Sequence, residues 1–298
     1  MAKPSQLWMW RHFAVELPAD WEMLQFSKSM DSGRCAFADR YQYRFELNWR
    51  RVGGRPDFDR TLSDYRSKLD TEHVMTGIAD VRQGEWRGLE GAMKNGKLSS
   101  RFGGYLETEK CFIEAVFLWP GETDRALVHA VLTSLRETVP VNGQFRRWKA
   151  FGMDLLTHSD LAMTRCSVFP ANAEMFFADP KTGVEEHFSR RGLTRDWLTD
   201  SVAAWLTRQT PGRVGRTATH FRTINSHNVE ILNGTSRARG MRGLLGRRLN
   251  YVACAWLCPA DSRLYCSACL APITADAETL VTAGKRFTCC DRMGKIDK

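Results

Sequence analysis

The chain carries one pattern of residues twice, and a repeat on this scale limits it to a tandem pair of similar domains. Trp10 to Pro18 (WRHFAVELP) is echoed by Trp148 to Leu156 (WKAFGMDLL), with Trp10 against Trp148, Phe13 against Phe151, Glu16 against Asp154 and Leu17 against Leu155. Lys110 to Asp124 (KCFIEAVFLWPGETD) is echoed by Ser262 to Asp276 (SRLYCSACLAPITAD): an apolar strand, a proline and an acidic helix start. Between these anchors Phe37-Ala38-Asp39 returns as Phe177-Ala178-Asp179, and Glu90-Gly91 as Asn233-Gly234. The spacing grows from 138 at the first anchor to 152 at the last, so the second copy holds insertions. Such a period is too long for a solenoid repeat and suits a whole domain. The polar break Pro140 to Gln144 (PVNGQ) reads as the linker, which predicts a first copy over 1–140 and a second over 146–298. A linker this short predicts two docked copies, an intramolecular pseudo-dimer.

At 298 residues, 43% hydrophobic and 26% charged, the chain is long enough for two cores. It lacks the run of about 18 apolar residues that a membrane-spanning helix requires. Its start, MAKPSQLWMWRHF, lacks the apolar stretch and small-residue cleavage site of a secretory signal, so a cytoplasmic location and reduced cysteines are expected. The net charge of +9 is uneven, with a Lys+Arg excess of +3 over residues 1–150 and +6 over 151–298. The second copy is therefore the basic one, and an excess of this size raises non-specific attraction to polyanions.

Tyr41 to Arg50 (YQYRFELNWR) alternates apolar Tyr43, Phe45, Leu47 and Trp49 with polar residues, the period of a half-buried antiparallel strand. From Asp57 the period changes. Phe58, Leu62, Tyr65 and Leu69 mark an amphipathic helix, matched in the second copy by Leu198, Val202 and Trp205 behind an N-cap at Thr194. Strands follow near 76–82, 85–93, 98–107 and 110–119, with Asn95-Gly96 as a tight hairpin turn. Each copy then closes with a helix, Asp124 to Glu137 in the first and one from Asp276 through Phe287 in the second. This order predicts an α+β fold, two tandem copies of an antiparallel sheet packed against helices.

The element order, the FAVELPADW opening and the strand, proline and acidic-helix ending resemble the PsbP-like fold. That fold is shared by photosystem PsbP, a Ran-binding nuclear-import factor and the Eag-type chaperones of type VI secretion. The resemblance covers 8–138 and 146–290. It implies a binding or accessory protein rather than an enzyme, and it transfers no functional residue.

The sequence holds no G-x-S-x-G, P-loop, H-E-x-x-H or dinucleotide fingerprint, so no catalytic residue and no cofactor is assigned. Six of the nine cysteines fall at the end of the chain: Cys254, Cys258, Cys266, Cys269, Cys289 and Cys290. Cys266-Ser-Ala-Cys269 has zinc-ligand spacing. Residues three apart on a strand face opposite sides, however, and this segment has no glycine for a metal-binding turn. Buried, reduced cysteines without a structural metal are expected; Cys258, Cys266, Cys269 and Cys289 are the set that would hold one.

The second cluster is RARGMRGLLGRR, where Arg237, Arg239, Arg242, Arg247 and Arg248 alternate with glycine and apolar residues. Guanidiniums in a glycine-rich hairpin suit carboxylates or phosphates, so the segment fits an acidic protein partner, a nucleic acid or an anionic surface. The resulting expectation is a non-catalytic chaperone or adaptor that cradles an apolar or amphipathic segment of a protein partner. Two alternatives stand beside it: a metal- or thiol-dependent enzyme using the Cys-rich end, and a basic nucleic-acid or membrane-surface module.

Overall fold

The computed structural model describes residues 4–224, 226–237, 248–272 and 286–290. The chain divides into two compact units, Met1–Val139 and Pro140–Lys298. The first unit runs β1 (Ser5–Trp10), β2 (Phe13–Pro18), β3 (Glu22–Phe26), β4 (Ser32–Ala38), β5 (Tyr43–Arg51), α1 (Phe58–Thr71), β6 (Met75–Gln83), β7 (Trp86–Met93), β8 (Leu98–Leu106), β9 (Cys111–Trp119), α2 (Arg125–Ser134) and β10 (Arg136–Glu137). Seven of these strands form an antiparallel sheet in the order β3-β4-β5-β9-β8-β7-β6. The β1–β2 hairpin, extended by β10 on β2, forms a short ladder beside it.

The second unit repeats this plan. Its strands are β11 (Phe145–Ala150), β12 (Met153–His158), β13 (Ala162–Phe169), β14 (Asn172–Ala178), β15 (Glu185–Arg191), β16 (Val214–Ile224), β17 (His227–Arg237), β18 (Arg248–Cys258), β19 (Arg263–Pro272) and β20 (Phe287–Thr288). The helices α3 (Thr194–Trp197) and α4 (Val202–Gln209) lie between β15 and β16. The sheet order is β13-β14-β15-β19-β18-β17-β16, and β20 extends the β11–β12 hairpin on β12. The hairpin turn uses Phe151 and Gly152 at φ 54° and 67°, the left-handed pair of a two-residue turn.

The expected α+β class is corrected to a mostly antiparallel β fold: 57% of the described residues are strand and 14% helix. The reason is where the core lies. In each unit the short ladder packs on one face of the long sheet through aromatic rings, and the helices stand outside that layer. In the first unit Trp8 meets Phe37 at 5.2 Å and Phe13 meets Trp49 at 5.7 Å between ring centroids. Phe117 lies beneath them, against Phe45 at 5.0 Å and stacked on Trp119 at 5.6 Å. In the second unit Trp148 meets Phe177 at 5.1 Å, and Phe287 meets Phe188, Trp256 and Tyr265 edge-on.

Two further expectations change. The helix expected behind Thr194 is two short helices. Leu193 precedes α3 in a left-handed conformation, and Ser201 starts α4 by accepting the Ala204 N–H. The closing helix of the second copy was expected over 276–287. Phe287 lies in a strand, and residues 273–285 are outside the described residues. Among the described residues no helix is long and apolar enough to cross a membrane.

Phe117 is fully buried at the centre of the first aromatic layer. Phe117→Ala should cost about 3–5 kcal/mol, the usual range for emptying such a site. Urea unfolding followed by tryptophan fluorescence should show the lowered midpoint.

Candidate functional site

The long sheet of the second unit has two dissimilar faces. Its inner face carries Phe177, Phe188 and Trp256 toward the short ladder. Its outer face carries a cross-strand row, Arg165 on β13, Phe176 on β14, His187 on β15, Ala268 on β19, Ala253 on β18 and Leu232 on β17. Trp205 and Leu206 of α4 cover the Leu232, Ala253 and Ala268 end of that row with apolar contact. Helix α4 has eight residues and covers no more. The other end of the row is the floor of an open pocket of about 890 Å³.

The floor is a three-layer stack. The Arg165 guanidinium carbon lies 3.8 Å from the Phe176 ring centroid, and Phe176 stacks on His187 at 3.9 Å and 8°. Arg191 and Arg213 stand at the rim. Arg191 Nη2 donates to Glu174 Oε1 at 2.8 Å and Arg213 Nη2 donates to Glu185 Oε2 at 2.5 Å, while Arg165 lies 3.8 Å from Glu174. Three guanidiniums therefore face two carboxylates. Glu186, one residue along β15, turns to the inner face and accepts from Arg286 Nη2 at 2.7 Å. His187 Nε2, Arg191 Nε and Arg213 Nη1 are buried without a hydrogen-bond partner among the described residues. Burial, followed by the charges of Arg191 and Arg165, pushes the His187 pKa down from 6.5 to about 3. The imidazole is neutral at physiological pH, so it serves as a hydrogen-bonding surface rather than a proton shuttle.

The first unit lacks this stack. The equivalent row places Gln25, Ala36 and Glu46 where the second has Arg165, Phe176 and His187. Its outer face is closed by its own network, in which Glu114 accepts from Tyr65 Oη at 2.7 Å and pairs with Arg101 at 3.3 Å.

Of the arginines singled out in the sequence, Arg237 and Arg248 face each other across the ends of β17 and β18, both exposed. Arg239, Arg242 and Arg247 lie outside the described residues. The cysteines separate. Cys266 packs in the α4 cluster, whereas Cys269 lies on the opposite face near Glu186 and Arg286. Cys258 and Cys289 come together, joined by His227 and Cys290, and these four are the residues able to hold a metal. Sequence reasoning missed the pocket and the histidine. The available signal for the pocket was the alternation of Glu185, His187 and Arg191 in EEHFSRR, together with the exchange of Ala36 for Phe176 between copies.

No protein-family model matches the chain, and no curated protein matches it. Among solved structures it is similar to the immunity protein TplEi of T6SS from Pseudomonas aeruginosa, at 12% identity over 94% of each chain with a TM-score of 0.34. The same protein complexed with "L" peptide matches at 9% identity over 94% of this chain and 95% of that one, with a TM-score of 0.35. A protein from Bacteroides thetaiotaomicron VPI-5482 matches at 14% identity and a TM-score of 0.29; the match covers 48% of this chain and spans 49% of that protein's length.

His187→Phe keeps an aromatic ring against Phe176 and removes the titrating group. The unfolded chain takes up a proton below 6.5 that the folded chain refuses down to about 3, so stability is full above that window and falls as pH drops through it. The variant should flatten unfolding free energy against pH there by up to about 1.4 kcal/mol per pH unit, the effect of one proton. Urea titrations across the acid range measure it.

Proposed function

We propose that this chain is a non-catalytic binding protein, a chaperone or adaptor, whose second unit holds an acidic, amphipathic segment of a protein partner in the outer-face pocket. The observation that carries this reading is the set of buried ring and guanidinium nitrogens of His187, Arg191 and Arg213, converging on the pocket without an acceptor. A carboxylate entering between them would satisfy donors that are costly to leave unmet, while the rings of Phe176 and His187 receive aliphatic flanks. The pocket volume lies within the range of about 300–1,000 Å³ usual for binding sites, enough for a few side chains. Tyr251, on the pocket wall, lies three residues from Arg248. A partner segment leaving the pocket on that side runs toward Arg248, which faces Arg237 across the ends of β18 and β17.

Selection of a displayed random-peptide library on the whole chain tests this. It should enrich peptides with a Glu or Asp between aliphatic residues, and their affinity should fall as salt rises. Arg165→Glu combined with Arg213→Gln should weaken those peptides about a hundredfold or more, since each of the two charge-assisted hydrogen bonds lost contributes about 1.5–3 kcal/mol. Enrichment of basic peptides, capture of RNA alone, or affinity unchanged in the double variant would overturn the reading.

A further inference from the structure

We propose that His227, Cys258, Cys289 and Cys290 form a Cys₃His zinc centre at one end of the inner face of the second unit. The four ligand atoms all lie within 4.8 Å of one another. Cys289 Sγ is 3.3 Å and Cys290 Sγ is 3.6 Å from His227 Nε2, and the two sulfurs are 3.8 Å apart. A tetrahedral ion with Zn–S near 2.3 Å and Zn–N near 2.0–2.1 Å sets its sulfurs about 3.8 Å apart and each sulfur about 3.6 Å from the nitrogen. Three of its six edges, those among His227, Cys289 and Cys290, already stand near these lengths, and Cys258 lies within 4.8 Å of all three.

Hydrogen-bond donors around the sulfurs point the same way. Trp256 Nε1, which can only donate, lies 3.3 Å from Cys289 Sγ. The backbone N–H groups of Ala260 and Asp261, in the turn after Cys258, donate to the Cys258 sulfur. Such outer contacts orient metal ligands. The sequence argument against zinc concerned Cys266 and Cys269, which face opposite sides of β19. The four residues here come instead from strand ends: His227 opens β17, Cys258 closes β18, and Cys289 and Cys290 follow β20. Backbone leaving a strand is free of the alternation that separates residues within one. Cys258 and His227 are buried while Cys289 and Cys290 are half-buried, which leaves a side for metal entry.

Three soft sulfurs and an imidazole select zinc among common divalent ions, and four protein ligands close the coordination sphere, so the centre is structural. On binding, three S–H bonds break, three S–Zn bonds and one N–Zn bond form, and three protons pass to solvent; no redox change is involved. The centre ties residues 286–290 to β17 and β18 beside the buried Phe287.

The whole chain, purified without chelator from zinc-supplemented cells, should contain one zinc by elemental analysis. Cys258→Ser and Cys289→Ser should each lose it, whereas Cys266→Ser and Cys269→Ser keep it. A second measurement does not depend on the variants folding. Cobalt added to metal-free, reduced wild-type chain should give the intense visible bands and sulfur charge transfer of tetrahedral thiolate cobalt, bleached by one equivalent of zinc. Wild-type protein without zinc and without those bands, zinc retained by both Cys258→Ser and Cys289→Ser, or another metal bound in its place would overturn the proposal.

Discussion

Aromatic contact between a short three-stranded ladder and one face of a seven-stranded sheet is the interaction on which each unit depends. A long antiparallel sheet with one apolar face requires a cover, and rings of the size of Trp148, Phe177 and Phe287 remove large areas from water at each contact. Once the ladder, flanked by α2 beside β2, serves as the cover of the inner face, α1 and α4 are left with the outer face. There they take only what their length allows. In the first unit α1 packs Leu69 against Met75 and Leu89, and Tyr65 closes the polar remainder through Glu114 and Arg101. In the second, the break between α3 and α4 leaves an eight-residue helix, and the uncovered strands become a pocket.

The pocket therefore depends on divergence between copies rather than on the fold itself. Sheet order is the same in both, and Trp8 on Phe37 is matched by Trp148 on Phe177 almost to the tenth of an ångström. What changes is the outer row. Replacing Ala36 by Phe176 and Glu46 by His187 turns a small residue and a carboxylate into a stacked pair on which Arg165 rests. Arginine over an aromatic ring keeps its hydrogen-bonding edge free while its flat face is desolvated. The guanidiniums are thus held in place by contacts that do not use up their donors.

Much of this was legible in the sequence because it follows from period. The alternation of Tyr43 to Trp49 is β5, and Phe58, Leu62, Tyr65 and Leu69 lie on α1, whereas Thr194, expected as a cap, is the first residue of α3 behind Leu193. The alignment of the first anchor was not legible. Sequence similarity set Trp10 against Trp148 at a spacing of 138, whereas β1 and β11, like β2 and β12, correspond at 140. A slip of two residues keeps every side chain on its face, so alternation alone cannot detect it. The class was misread because each element was weighed alike, although the strands far outnumber the helices among the described residues. The pocket and the metal cluster escaped for a common reason. Both unite residues from separate strands: cross-strand register sets Phe176 beside His187, and packing of the short ladder on the long sheet brings Cys289 to His227.

The two sites lie on opposite faces of one sheet, and this governs how they relate. Phe176, His187 and Ala268 project outward; Cys258 and His227 belong to the inner side with Trp256 and Val229. Residue parity keeps the two sets apart, since side chains on successive strand positions never share a face. Glu186 is the nearest thing to a bridge. It sits between Glu185 and His187 on β15, yet it spends both carboxylate oxygens inward, on Arg286 and on the His158 backbone N–H. Arg286 stands next to Phe287 and three residues before Cys289, so this ion pair fixes the approach of the Cys289–Cys290 segment without drawing charge from the pocket. The sheet thus carries the pocket on its outer face and anchors the 286–290 segment on its inner face, each built from contacts the other does not use.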